Sequence, residues 1–116
     1  MDLNQAILAH SNWKKKLKEH IDGGTQINTE TLSKDDQCDL GKWILGEGKK
    51  HQSLSAFADL KAKHTKFHTV AANVARKAQS CSREEAHKML DMTSEFGHAS
   101  ADVINALADL KTSLGQ

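Results

Sequence analysis

The sequence predicts an all-α chain, a four-helix bundle of three long helices and one short helix, and three observations carry that expectation. Its 116 residues include no proline and no tyrosine. Apolar residues recur at spacings of three, four and seven along most of the chain, the period of a helix with one buried face. Glycines and Ser/Asp clusters fall between those periodic stretches, where helices start and stop. A β-sandwich would need turn residues every few positions. The length excludes a (β/α)8 barrel and a complete dinucleotide-binding enzyme, and fits one domain over 1–116.

The first helix is expected over 2–21, with Leu3, Ile7, His10, Leu17 and Ile21 on its inward stripe, Trp13 at the border, and Gly23-Gly24 ending it. Residues 25–35 are polar and β-branched without a period, and read as a loop. A short helix follows over 36–47, with Asp35 or Asp36 as N-cap and Gly46-Glu47-Gly48 as its break. A long helix over 53–79 carries the stripe Phe57, Leu60, Lys61, His64, Phe67, His68, Ala71, Val74, Ala75 and Ala78. Ser80 and Cys81 make a turn. Ser82-Arg83-Glu84-Glu85 is a capping box opening the last helix, which runs to Leu114 on Met89, Thr93, Phe96, Ser100, Val103, Leu107 and Leu110, with Gly97 and His98 in its middle. At 1.5 Å per residue that helix would be roughly 45–50 Å long. A short neighbour cannot cover such a stripe, so part of it is expected to face a second copy in a homodimer. Short connections give up-down topology.

Sixteen Lys and Arg against fifteen Asp and Glu leave a net charge of +1. That excludes the clustered positive surface of a nucleic-acid binder, and Lys14-Lys15-Lys16 and Lys49-Lys50 read as solvated helix faces. The first residues carry neither the basic nor the apolar region of a secretory signal. No apolar run approaches the roughly 20 residues of a membrane span. A cytoplasmic location without membrane insertion is expected. The apolar set leans on alanine, so the core is thin, and small scaffolds of that kind use a staple such as a metal. Seven histidines and two cysteines are the material for one. Two cysteines make no disulfide framework.

His64 and His68 stand four residues apart on one helix face, where two neutral imidazoles can bind one Zn²⁺. His10 lies on the inward stripe of the first helix. Cys38 opens the short helix, and a helix N-terminus favours the thiolate that binds metal. Three histidines and one thiolate complete a closed tetrahedral set. His20, His51, His87 and His98 fall beside stripes or at segment ends and are expected at the surface, with Cys81 a bystander.

These residues resemble the chemoreceptor zinc-binding domain family. His10-Ser11-Asn12-Trp13 matches its HxxW, Cys38-Asp39-Leu40-Gly41-Lys42-Trp43 its CxLGxW, and His64-Thr65-Lys66-Phe67-His68 its HxxxH, in that order. The resemblance implies a four-helix bundle binding one zinc through His10, Cys38, His64 and His68. Trp13, Leu40, Gly41 and Trp43 match the flanking motif positions and are expected to pack, with Gly41, one turn after Cys38, allowing close helix approach. Such domains regulate an attached output module, a chemoreceptor signalling domain or a diguanylate cyclase. They are associated with sensing zinc, and oxidants such as hypochlorous acid through the zinc-bound cysteine. No output module lies within these 116 residues, so a stand-alone member or an excised domain is expected.

The function expected is a zinc-binding cytoplasmic sensory domain of bacterial signalling, of the chemotaxis or cyclic-di-GMP type. The alternative is a zinc-buffering bundle without signalling. Enzymatic use of the metal is disfavoured, because four protein ligands leave no position for an activated water. A di-iron bundle would place Glu-x-x-His pairs on the inward stripes, whereas Glu84 and Glu85 sit at a helix end.

Overall fold

A computed structural model describes residues 2–24 and 27–115. Asp2 caps the first helix, α1 (Leu3–Ser11), by accepting from the Asn4 N–H at 2.9 Å. The helix predicted over 2–21 is divided at Asn12, after which α2 covers Trp13–Ile21. Two side chains account for the interruption. The Ser11 hydroxyl donates back to the Ile7 carbonyl at 2.8 Å, and His10 Nδ1 donates to the Ala6 carbonyl at 2.8 Å. Such back-bonds draw carbonyls from the helical ladder and bend it.

The segment 25–35 is not all loop. Its residues 25 and 26 lie outside the described residues, but Thr29–Leu32 form a single turn, α3, capped by the Asn28 side chain accepting from the Thr31 N–H at 3.0 Å. Leu32 is buried, and that tertiary anchor fixes a turn too short to show a period.

The short helix, α4 (Asp39–Leu45), begins later than predicted, and neither Asp35 nor Asp36 caps it. The cap is Cys38, whose sulfur accepts from the Gly41 N–H at 3.4 Å. Gly41 permits this. A Cβ there would lie 1.6 Å from the Asp35 carbonyl oxygen, so the approach it allows is that of the preceding loop rather than of another helix. A 3-10 turn (Glu47–His51) leads into the longest helix, α5 (Ser55–Lys77).

The last predicted helix is two. Ser82 accepts from the Glu85 N–H at 3.1 Å and opens α6 (Arg83–Lys88). Residues 89–94 leave the helix, and α7 (Glu95–Ser113) starts afresh under Ser94, whose hydroxyl accepts from the Gly97 N–H at 3.1 Å. A Cβ on Gly97 would stand 2.3 Å from the Asp91 carbonyl. Gly97 is therefore no blemish in mid-helix; it sits three residues past a cap, as Gly41 does. The break also removes the uncovered stripe. Phe96, Val103, Leu107 and Leu110 are buried within the chain, where α7 packs on α5 and α1.

α5 is the centre of the assembly, in contact with α7, α3 and α2. Ala71, Ala72 and Ala75 on α5 and Ala99 and Ala106 on α7 are buried, and their small side chains let neighbours approach closely. Phe67 and Phe96 meet with ring centroids 5.7 Å apart. Trp43 packs edge-on against Phe57 at 6.1 Å, which matches the packing role expected of it. Asp22, after α2, accepts from His87 of α6 at 2.9 Å, and Arg83 adds an exposed ion pair at 3.4 Å. The four-helix description holds approximately, as a bundle of long helices with short helical turns at its joints. Among the described residues no helix is long and apolar enough to cross a membrane.

Candidate metal centre

Four side chains from three elements, α1, α4 and α5, meet where the α3 turn also touches α5. His10 stands on α1, Cys38 caps α4, and His64 and His68 lie one turn apart on α5. One ligand atom from each falls within 4.8 Å of all the others. Cys38 Sγ lies 3.2 Å from His64 Nε2 and 3.5 Å from His68 Nε2, and the two Nε2 atoms are 3.0 Å apart. With bonds of 2.0–2.1 Å to nitrogen and 2.3 Å to sulfur, a tetrahedral zinc needs N···N of about 3.3 Å and N···S of about 3.6 Å. The cluster needs only a few tenths of an ångström of adjustment on these edges.

The tautomers suit a metal. His68 Nδ1 is 2.9 Å from the Leu32 carbonyl, and His10 Nδ1 is bonded to the Ala6 carbonyl. A carbonyl only accepts, so both Nδ1 atoms carry the proton, and each neutral ring presents an Nε2 lone pair inward. His10 Nε2 is buried with no hydrogen-bond partner, and an unsatisfied polar atom in a dry interior costs free energy. A cation among these donors supplies the missing partner.

Burial keeps the imidazoles neutral. Desolvation, with the neighbouring rings of His68 and His10, lowers the His64 pKa to about 3. Desolvation likewise lowers His10 and His68, opposed by their backbone hydrogen bonds. The helix N-terminus does not free the Cys38 proton. Desolvation raises that thiol, and the N–H groups of Gly41 and Leu40 only partly offset it. In the absence of a cation the cluster therefore holds a thiol and three neutral rings, and a dication would draw off the thiol proton.

The surroundings include contacts that the linear motif does not reveal. The edge of Phe67 covers His10 and His68 at 5.3 and 5.6 Å between centroids. The Thr65 hydroxyl donates to the Asp35 carboxylate, tying the loop before Cys38 to α5. Asp35 also opposes the depression of the His68 pKa. The Leu32 carbonyl was hidden because α3 leaves no period to read. Leu40 is buried as expected. Of the other histidines only His98 is exposed; His20, His51 and His87 are half-buried, His51 tilted against Trp43 and His20 near the Ala75 carbonyl at 3.3 Å. Each of these three has a partner within the chain, His87 in Asp22, and none is fully exposed as expected. Cys81 is half-buried in the turn before α6.

The family model of the chemoreceptor zinc-binding domain matches residues 10–75, more than half of the chain. The chain belongs to that family, and its cluster of three histidines and one cysteine fits a Zn²⁺ site. No curated protein and no solved structure matches it.

Proposed function

We propose that this member of the chemoreceptor zinc-binding domain family is a sensory domain in which His10, Cys38, His64 and His68 hold one zinc and thereby set the position of α4. The observation that carries the reading is the convergence of four donor atoms within 4.8 Å around a buried His10 Nε2 that has no other partner. Zinc supplies the positive charge that fixes the thiolate and joins α1, α4 and α5. Its binding free energy then adds to the stability of one arrangement of these helices. His10 and His68 are oriented by backbone carbonyls, so they stay in place, whereas Cys38 rests on a seven-residue helix and a loop. Loss of zinc, or oxidation of the thiolate to a sulfenic acid, a poorer ligand, releases the sulfur and with it the start of α4. The surface shown to a partner changes there.

The partner proposed is a bacterial signalling output, of the chemotaxis or cyclic-di-GMP type, in the cytoplasm, with a second copy of the chain as the other candidate. With the α7 stripe covered, exposed apolar side chains for a second copy include Leu8 and Leu45. The reading does not include catalysis, because the cluster spends all four tetrahedral positions on protein ligands.

The experiment is a zinc titration before and after oxidant treatment, with hydrogen exchange followed over residues 36–47. The expected result is weaker binding and lost protection after oxidation. Unchanged affinity and protection would remove the switch, and partner binding indifferent to zinc would leave a buffer in its place.

A further inference from the structure

The four members of the cluster are not equally enclosed. His64 is 1% exposed, and His10 and His68 are 2% exposed. Cys38 is half-buried. Whatever exchanges with the centre meets it on the sulfur side. Two clefts lead there. One of about 570 Å³ passes Leu32 and Lys34 and ends on Cys38 and His68. The other, of about 300 Å³, passes Gln5 and Ala9 and ends on His10 and Cys38. Trp13, Lys16, Gln37 and Cys38 line both. The Trp13 indole and Gln37 thus form the partition between the two clefts at the sulfur. Trp13 is the first residue of α2, directly after the break at Asn12, and the Lys16 ammonium sits 4.7 Å over its ring.

We propose that the metal reaches and leaves its site through this partition, and that Trp13, held by Lys16, is a positioning residue that sets the rate of passage. The inference rests on the zinc reading above and goes beyond it. The ring, half-buried at the edge of the core, has the size to close the sulfur side, and it stands at a helix start beside a break. The cation over its face holds it down by attraction to the ring quadrupole. A gate of this kind changes loading and release by a common factor. A residue that merely held the ligands in place would change release alone.

The test compares zinc loading of the metal-free chain, and zinc release to excess chromophoric chelator, in wild type, Trp13→Ala, Trp13→Phe, Lys16→Gln and Lys16→Arg. Helicity of each metal-free variant is checked by circular dichroism. Trp13→Ala is expected to speed loading and release by about tenfold, equivalent to about 1.4 kcal/mol of barrier. Lys16→Gln, an exposed substitution, is expected to speed both by a smaller factor, at high salt as well as low, where a pure charge effect would be screened. Trp13→Phe and Lys16→Arg are expected to stay near wild type. Rates unchanged in Trp13→Ala and Lys16→Gln overturn the proposal, as does faster release with unchanged loading. Failure of the wild-type chain to take up zinc is a different result, and removes the zinc reading itself.

Discussion

His68 Nδ1 donates to the Leu32 carbonyl at 2.9 Å, across thirty-six positions of sequence. That bond fixes the ring's tautomer and aims Nε2 at Cys38 and His64, and it makes a four-residue turn part of the metal centre. The turn depends on its cap. Asn28→Ala is expected to lower stability by about 1 kcal/mol and zinc affinity by about tenfold. Chemical denaturation and competition with a chelator check the two. An affinity equal to wild type would show that His68 keeps its orientation without Leu32.

Gly41 joins the loop at Asp35 to the helix that Cys38 caps. Because an added Cβ would overlap the Asp35 carbonyl, Gly41→Ala is expected to cost about 1–3 kcal/mol through forced backbone shifts. It should also weaken zinc binding, since the Gly41 N–H bonds the sulfur. Gly24→Ala, where the nearest atom to an added Cβ is 3.6 Å away, serves as the comparison and is expected within about 0.5 kcal/mol of wild type. Thermal melts of both variants read the difference.

Zinc uptake should release one proton, from Cys38. Burial raises the thiol pKa above its ordinary value of 9.0, while His10, His64 and His68 are already neutral at pH 7. Affinity is therefore expected to rise by about tenfold per pH unit between about pH 7 and 9. Calorimetry in buffers of different ionisation enthalpy counts the proton. In Cys38→Ser that slope should vanish.

The metal-free chain should lose stability in acid. His64 is pushed down to about 3, and His10 and His68 are lowered as well, so below about pH 6.5 the unfolded chain binds protons that the folded chain refuses. More protons bound in the unfolded state means that stability falls as pH falls, by about 1.4 kcal/mol per unit for His64 once the pH is well below 6.5, with His10 and His68 adding in the same direction. The loss continues down to the folded-state value, which for His64 is about 3. Urea midpoints from pH 7 to 4 measure it, and His64→Gln is expected to flatten the dependence.

Much of the centre was legible in sequence because each ligand announced itself locally. His64 and His68 share a helix face, His10 sits on an apolar stripe, and Cys38 stands at a helix start beside Leu40 and Gly41. What stayed hidden was tertiary. The turn at Thr29–Leu32 exists because Leu32 is buried and its carbonyl meets His68. The division of the last helix depends on Ser94 and Gly97, and the same arrangement of a capping side chain three residues before a glycine recurs in Cys38 and Gly41. Read as a pair, these two glycines mark where loops fold onto helix starts. An apolar period alone runs straight through residues 89–94, where Asp91 and Ser94 favour turn geometry over helix. The thiol's raised pKa was likewise beyond a rule about helix N-termini, because desolvation outweighs the backbone N–H bonds at that depth.

X-ray absorption at the zinc edge, on chain loaded with one equivalent, tests the centre most directly. The expected spectrum has three nitrogen neighbours at about 2.0–2.1 Å and one sulfur at about 2.3 Å, with the sulfur shell lost in Cys38→Ser. A wild-type site without sulfur, or one completed by water oxygen in place of a histidine, would contradict a closed centre built from His10, Cys38, His64 and His68.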